Sequence, residues 1–398
     1  MSERRDTVTA VDSLFRNMGQ MADRAWLQAH RNEAALPAIA QDTFEAFNPE
    51  EHLTLKNVAE WLCARSSLDP QLDVSLSFGQ PPITVFSANN LFIELYVWRD
   101  FDVGMHNHAF FGAFRIIHGN SIHAEYDFSE TRVVNSRFRL GQIQRKKVSL
   151  FKPGDGGKFQ CAPSLIHRLI HVDRPSLSMV IRTRDSSSDY FSYLPPGVAL
   201  GLPGALPDLV RRQLEMLRRV DEVDHIAFVE LLRGMVESLD ANVAFTVLRE
   251  LQERLSFEEL ELVLSFPRLD EIRGPMMEAL EQDEFTKGLM VIRRHLEHEQ
   301  DRFFVTTLMV CESRESILQL ISARFPGLDA STVLRTCLKR TASRMSELGV
   351  EASGVSLDDS VIEGLLELLE PTSDSKPGEQ VLAASEGVFG PLFTSQSP

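Results

Sequence analysis

The chain has 398 residues, of which 43% are hydrophobic and 25% are charged, and its formal net charge is -16 at pH 7. This length exceeds the usual size of one domain, so two or three folded units are expected. The acidic balance argues against general binding to nucleic acid or to an anionic membrane, because like charges repel. The sequence contains no apolar run of about 18 residues and no secretory leader, so we expect a cytoplasmic protein.

The N-terminal region, residues 1–69, is predicted to be helical. Apolar residues recur every three to four positions through residues 7–30 and again through residues 53–64. That spacing places them on one face of each helix. We therefore expect a helical elaboration that packs against the next domain.

Residues 70–200 have the pattern of a β domain. Short runs rich in β-branched and aromatic residues are separated by Gly, Pro, Asp and Asn. Gly119 and Asn120 break one such run and predict a hairpin turn. The pattern predicts antiparallel strands that close into a small barrel. The runs are residues 91–98, 121–128, 147–152 and 176–183.

The most informative motif in this region is His106-Asn107-His108. Side chains on a strand alternate between its two faces, so these two histidines are predicted to project into the same space. Neutral imidazoles there can bind one metal ion. His167, on a later β run, is predicted to supply a third ligand once the strands lie side by side.

Other histidines compete with this set or lie outside it. His171 is four residues after His167 and is the alternative third ligand. His118 and His123 flank the predicted turn and are expected on the surface. Residues 293–302 contain two more histidines in a charged helical run, which is predicted to be a solvated face.

The motif resembles the cupin superfamily, whose first motif is His-X-His followed by Glu and then Gly, with one more His in the second motif. Gly112 stands here at the place of the Glu, and Gly119 at the place of the closing Gly. Loss of the Glu resembles the cysteine (thiol) dioxygenase branch, in which three histidines alone bind ferrous iron. The resemblance covers roughly residues 85–190. It implies a cupin barrel with Fe(II), or another divalent metal, held by His106, His108 and His167.

Three residues are candidates for substrate binding, and no catalytic side chain is assigned. In the thiol dioxygenases the strand after the third ligand carries Ser, His and Tyr at alternating inward positions; this chain has Ser178, Val180 and Arg182. The planar fork of Arg182 suits a substrate carboxylate. Tyr96 is a further candidate for orienting a polar substrate.

Three neutral histidines leave a divalent ion its full charge and up to three open positions. A closed structural zinc site would use four ligands instead. The leading prediction is therefore a mononuclear non-haem iron dioxygenase, or a related oxidoreductase, whose partners are dioxygen and a small polar molecule. A thiol or an amino-acid derivative is a candidate substrate.

Two other functions stay open. One is a non-catalytic metal or ligand sensor, in which the barrel detects and the helical domain transmits or interacts. The other is a metal-dependent isomerase or lyase, which needs a general base near the metal. The sequence indicates no inward carboxylate beside the histidines, which counts against the isomerase or lyase.

After a segment rich in Pro and Gly, residues 201–370 predict an all-helical domain of five to seven helices. Ser256 and Glu259 form a capping-box pattern, and Asp329 or Ser331 can begin a later helix. This domain could serve as a lid, or bind a second copy of the chain or a protein partner. Residues 371–398 are predicted to be a linker-like tail. The fold class is thus α+β.

The four cysteines are widely spread and form no CxxC pair, so we expect them to be reduced and mostly buried. Cys161, shortly before His167, is the one nearest to the predicted ligands in sequence. The four are Cys63, Cys161, Cys311 and Cys337.

Overall fold

Helices form both ends of the chain, and strands occupy its middle. The computed structural model describes residues 2–73, 78–99, 102–160, 165–185, 190–201, 206–350, 355–369, 378–386 and 388–393. The predicted α+β class is confirmed, with N-terminal helices, an antiparallel β-barrel and a C-terminal helical region. In the described part of the chain, the structure contains no helix with the length and apolarity needed to cross a lipid bilayer.

The N-terminal helices cover one face of the β region. A capping box of Thr54 and Asn57 starts the last of them. Phe15, Met18 and Phe44 of this region pack on strand residues such as Ile93 and Ile181 in one apolar cluster, as the periodicity predicts. The helices are α1 Ser2–Gln28, α2 Leu36–Phe47, α3 Pro49–His52 and α4 Leu55–Cys63, with a 3-10 turn at Glu33–Ala35.

Eleven strands in the described residues form two antiparallel sheets. They are β1 Pro82–Ala88, β2 Leu91–Trp98, β3 Met105–His106, β4 Gly112–His118, β5 Ser121–Asn135, β6 Phe138–Phe151, β7 Gly156–Phe159, β8 Ile166–His171, β9 Ser176–Thr183, β10 Phe191–Leu194 and β11 Val198–Gly201. The first sheet has the order β1-β2-β9-β4-β7. The second has the order β10-β11-β6-β5-β8-β3 and closes because β3 also pairs with β10.

The predicted hairpin at Gly119 and Asn120 is wrong. The chain does turn there, and Gly119 has a φ of 77°, in the left-handed region that favours glycine. However, β4 pairs with β7 and β9, whereas β5 pairs with β6 and β8. The turn therefore carries the chain from one sheet to the other. Asp173 stabilises it by accepting hydrogen bonds from the backbone and side-chain amides of Asn120 at 2.7 and 2.8 Å.

The C-terminal region has more helices than predicted. Nine lie within the described parts of residues 206–369, because local caps divide the apolar pattern into short segments. The predicted capping box of Ser256 and Glu259 is confirmed, and Asp329 rather than Ser331 caps its helix. The helices are α5 Asp208–Asp221, α6 His225–Ser238, α7 Ala241–Leu251, α8 Phe257–Val263, α9 Asp270–His295, α10 Glu299–Leu308, α11 Arg314–Arg324, α12 Ala330–Glu347, α13 Asp359–Leu368, α14 Glu379–Glu386 and α15 Gly390–Phe393, with 3-10 turns at Gln252–Arg254 and Pro267–Leu269.

Helices cover both sheets from outside, and the interior of the barrel lies between the sheets. Two apolar clusters join the helical region to the second sheet, and the N-terminal helices cover the first. Phe389 and Leu392 belong to one of these clusters, so this part of the predicted tail docks on the helical region. A further cluster lies between the sheets and contains Tyr96, Trp98, Phe114, Ile116, Phe159, Leu169 and Val180.

Candidate metal centre

The three predicted ligand histidines converge inside the barrel. His106 on β3 and His167 on β8 are directly opposite each other in the strand register. The potential ligand atoms of His106, His108 and His167 all lie within 4.8 Å of one another. Nε2 of His108 is 2.9 Å from Nε2 of His167. All three side chains are buried.

The local structure that brings His108 to this group differs from the predicted continuous strand. β3 ends at His106, and β4 begins only at Gly112. His108 lies in the connection between them. Asn107 anchors this connection to β10: its Oδ1 accepts a hydrogen bond from the Phe191 amide at 2.7 Å, and its backbone amide donates to Phe191 O at 3.2 Å. Convergence of the His-X-His pair thus depends on an anchored loop.

Gly112, at the place of the cupin Glu, has no room for a side chain. A Cβ atom built there would lie 2.1 Å from the backbone oxygen of Ile181 on the neighbouring strand β9. Real Cβ atoms do not approach an oxygen that closely. The close approach of β4 to β9 therefore excludes a carboxylate ligand from this position.

Two of the ligand histidines have partners for their second ring nitrogen. Nδ1 of His106 is 3.1 Å from Gly104 O, and Nδ1 of His167 is 2.9 Å from Nε2 of His123. In the tautomer that leaves His167 Nε2 free to bind a metal, His167 Nδ1–H donates to His123. Nδ1 of His123 in turn lies 3.7 Å from a carboxylate oxygen of Glu125. Partners of this kind fix the tautomer and ring orientation of metal-binding histidines.

The surface position predicted for His123 is wrong. Only 4% of this residue is exposed, and its ring stacks on Phe151 with centroids 4.5 Å apart. The reason is the crossing at Gly119, which places β5 in the second sheet with alternate side chains pointing into the barrel. His118, at the end of β4, is exposed as expected.

His171, the alternative third ligand, does not join the group. Its Nδ1 lies 2.9 Å from Ser121 Oγ and 3.0 Å from Ser176 Oγ. Its ring stacks on Trp98 with centroids 4.6 Å apart. Burial lowers the pKa of His171 to about 3, so the ring is neutral. His167 is therefore the histidine of β8 that the structure brings to His106 and His108.

Burial also keeps the three ligand candidates neutral. It lowers the pKa of His106 to about 4. It lowers the pKa values of His108 and His167 well below the usual range, and the neighbouring histidines add to the effect. A neutral imidazole has a lone pair for a metal ion, so the group is suited to a cation near pH 7.

The spacing of one pair of nitrogen atoms, those of His108 and His167, agrees with two bonds to one divalent metal. Two metal–nitrogen bonds of about 2.1 Å at about 90° place their nitrogens about 3.0 Å apart, whereas a tetrahedral angle places them about 3.4 Å apart. The 2.9 Å between His108 and His167 agrees with the smaller angle. Among the described residues, no fourth His, Cys, Asp or Glu belongs to the group. The donor set thus suits one ion with further positions open to small molecules.

The histidines line a cavity of about 580 Å³. Small-molecule sites in proteins commonly enclose about 300–1,000 Å³. The predicted substrate residues Tyr96, Ser178 and Arg182 all line the same cavity. Its other walls are mostly apolar, and aromatic side chains are the largest group among them. The aromatic lining consists of Phe78, Tyr96, Trp98, Phe110, Phe114, Phe159 and Tyr190.

Arg182 is held in place by its neighbours. Its Nε donates to Thr183 O at 2.9 Å, and its guanidinium forms ion pairs with Asp185 and, at 3.6 Å, with Glu94. The guanidinium carbon lies 3.5 Å from the centroid of the Phe110 ring. Asp185 and Glu94 therefore already compensate the positive charge of Arg182. The sequence analysis had assigned that charge to a substrate carboxylate.

Ser178 and Tyr96 also have internal partners. Ser178 Oγ accepts a hydrogen bond from Trp98 Nε1 at 2.7 Å, and Tyr96 donates to Glu94 Oε2 at 2.6 Å. These contacts orient the cavity wall, so a substrate would meet a preformed surface.

Glu94 is a buried cavity residue that the sequence analysis missed, and it gives the cavity an inward carboxylate outside the histidine group. It is 1% exposed and lines the cavity. Burial raises the pKa of Glu94, while the hydrogen bond from Tyr96 and the charge of Arg182 oppose that rise. The alternation of strand side chains was the available signal, because Glu94, Tyr96 and Trp98 share one face of β2.

The cysteines lie apart from this cavity where they are described. Cys311 and Cys337 are buried and Cys63 is exposed, all as free thiols. Burial raises the pKa of Cys311 to about 12, so it stays protonated. Cys161 lies outside the described residues.

Comparison with solved structures finds partial likenesses. The cysteine peptidase peruvianin-I from Thevetia peruviana latex shares 17% identity over 29% of this chain and 58% of that chain, with a TM-score of 0.18. Hydroquinone 1,2-dioxygenase from Sphingomonas sp. TTNP3 shares 9% identity over 30% of this chain and 83% of that chain, with a TM-score of 0.21. A conserved Klebsiella pneumoniae protein with a double-stranded beta-helix domain shares 15% identity over 34% of this chain and 100% of that chain, with a TM-score of 0.19. This chain therefore spans less than two thirds of the peptidase.

No family model and no curated protein matches the sequence. With identities and TM-scores this low, the chemistry of the site is inferred from the residues of this chain.

Proposed function

We propose that this protein is a mononuclear non-haem iron oxygenase of the cupin type, in which His106, His108 and His167 hold Fe(II). The observation that carries the proposal is the group of three buried, neutral histidines on the wall of a cavity large enough for a small molecule. The absence of a fourth ligand from the described part of the group favours a catalytic over a structural metal site.

The chain's own residues would position and shield the reactants. When bound, the iron would supply Lewis acidity and adjacent positions for substrate and dioxygen. His123 orients the His167 ring, and Gly104 O orients the His106 ring, by accepting hydrogen bonds from the Nδ1–H groups of those rings. The apolar part of the cavity wall would surround the reactants and limit side reactions with water.

The cavity supports a substrate with a polar, metal-binding group on an apolar body. Its aromatic lining offers mainly contact area, and Arg182 is already paired with Glu94 and Asp185. A free carboxylate near Arg182 would meet these two acids as well. We therefore propose small thiols, phenols and amino-acid derivatives with an apolar or aromatic body as the substrates to test first.

The test is oxygen consumption by anaerobically prepared, Fe(II)-loaded protein with a panel of such compounds. The proposal expects uptake that depends on both iron and substrate and is lost in His108→Ala. The exposed His118→Ala variant is the matched control and should retain activity. Metal binding without oxygen uptake with any compound would contradict the oxygenase and favour a metal or ligand sensor.

A metal-dependent isomerase or lyase is the second candidate, and Glu94 is the observation that favours it. A buried carboxyl group with a raised pKa in a cavity beside a metal site suits a general base or acid. This candidate expects product formation without oxygen uptake, and loss of that activity in Glu94→Gln while metal content stays unchanged.

A further inference from the structure

A second cavity, of about 460 Å³, lies at the seam between the barrel and helix α9. The barrel side consists of residues 102–105, Arg168 and residues 192–195. The helix side consists of Arg249 on α7 and seven residues of α9 between Gln282 and Arg294, which recur every three to four positions and so belong to one face of that helix. None of the three ligand histidines lines this cavity, so it is separate from the candidate metal centre.

The charges around the cavity are predominantly positive. Its lining includes four cations and two acids, although the whole chain has a net charge of -16. Arg249 donates to both carboxylate oxygens of Asp283 at 2.8 and 2.6 Å, and Lys287 lies 2.9 Å from the same carboxylate. Asp102 pairs with Arg168. Arg294 forms no ion pair with an acid of the described residues, so two positive charges are in excess.

Further arginines lie near Arg294, close to the end of α9. Burial lowers the pKa of Arg174, and the charges of Arg99 and Arg294 lower it further. Burial likewise lowers the pKa of Arg293 to about 10, with contributions from Arg302 and Arg294. Arg294 thus lies close enough to Arg174 and Arg293 for its charge to affect both.

We propose that the seam cavity binds a small dianion, such as a phosphate group or a dicarboxylate. Arg294 and Lys287 lie seven residues apart on α9 and supply the two charges. The hydroxyl groups of Thr286 and Ser192, on opposite walls, add neutral donors. Charge-assisted hydrogen bonds of this kind are among the strongest polar contacts in proteins.

The cavity is connected to the metal centre by a short chain of hydrogen bonds. Asp102 Oδ1 accepts from Arg168 Nε at 3.0 Å and from the Gly104 amide at 2.9 Å. Gly104 O in turn lies 3.1 Å from His106 Nδ1. A dianion that competes with Asp102 for Arg168 would therefore act on the segment that orients a ligand histidine.

The experiment is calorimetric titration of the full-length protein with inorganic phosphate and, separately, with succinate, at constant ionic strength. The variant Lys287→Gln/Arg294→Gln removes two exposed charges from the cavity wall. Arg211→Gln/Arg219→Gln on α5 is the matched control, because it removes two charges from another exposed helix face. Thermal denaturation of all variants verifies that they fold.

We expect saturable binding of at least one dianion, weakened about tenfold or more in Lys287→Gln/Arg294→Gln, which corresponds to about 1.4 kcal/mol. The dissociation constant of the control variant should stay within about twofold of that of the parent protein. A difference of that size can arise from distant charges that salt screens. Binding of phosphate alone would identify a phosphate site, and binding of both compounds a general dianion site. The absence of saturable binding would overturn the proposal. Binding that is unchanged in Lys287→Gln/Arg294→Gln would also overturn it, because the anion would then be held elsewhere, for example by a metal ion.

Discussion

His123 provides the sharpest test of how the metal centre is built, because its role rests on one hydrogen bond. In His123→Phe the ring remains large enough to stack on Phe151, but the 2.9 Å contact to His167 Nδ1 is lost. Loss of a second partner of a metal-binding histidine typically weakens metal affinity about 10–100-fold. We therefore expect a loss of about 1.4–2.7 kcal/mol in the free energy of metal binding.

The assay is competition for Co(II) or Fe(II) between the protein and a chromophoric chelator under anaerobic conditions. His123→Gln retains an acceptor for His167 Nδ1–H and should recover part of the affinity. Glu125→Gln should have a smaller effect than His123→Phe, because Glu125 lies 3.7 Å from His123. Unchanged metal affinity in a folded His123→Phe protein would refute the reasoning. Equal affinities of His123→Phe and His123→Gln would do the same, because they would show that the residue only fills the core.

Three further predictions concern the metal-free protein and are measured by urea unfolding. Because burial lowers the pKa of His106 to about 4 from an unfolded value of about 6.5, the unfolded chain binds more protons in this range. The free energy of unfolding should therefore fall as the pH drops from about 6.5 to 4, and less steeply in His106→Ala; equal slopes would contradict the assignment. Gly112→Ala should destabilise the fold by about 1–3 kcal/mol, because its Cβ would clash with Ile181 O, and an unchanged unfolding midpoint would contradict that clash. Asp102→Asn should destabilise it by about 3–5 kcal/mol by leaving the buried Arg168 charge without its ion pair, whereas a loss below about 1 kcal/mol would show that the pair contributes little.

Local patterns were sufficient to predict several strands of the barrel, although not the loop that carries His108. The alternating apolar runs at residues 91–98 and 176–183 coincide with β2 and β9. The His-X-His spacing and the cupin resemblance grouped His106, His108 and His167, and the structure brings them together although His108 lies in a loop rather than on the predicted strand. The number of C-terminal helices was less predictable, since short caps divide a nearly continuous apolar pattern.

Long-range pairing explains what the sequence did not reveal. The inward position of His123 depends on the crossing of the chain between sheets after Gly119, which no local pattern encodes. Glu94 was hidden for a different reason: a carboxylate in a strand usually faces solvent, and its burial depends on Tyr96 and Arg182 coming together from β2 and β9. The thiol dioxygenase resemblance stays a prediction about the metal and its chemistry, and it does not extend to the substrate.

Metal stoichiometry is the measurement that tests the central claim most directly. Full-length protein is titrated anaerobically with Fe(II), and bound iron is determined after removal of the free ion. We expect one iron per chain in the parent protein and in the exposed-site control His118→Ala, and none retained by His106→Ala or His167→Ala. Iron content that is the same in all four proteins would contradict a metal centre formed by these histidines.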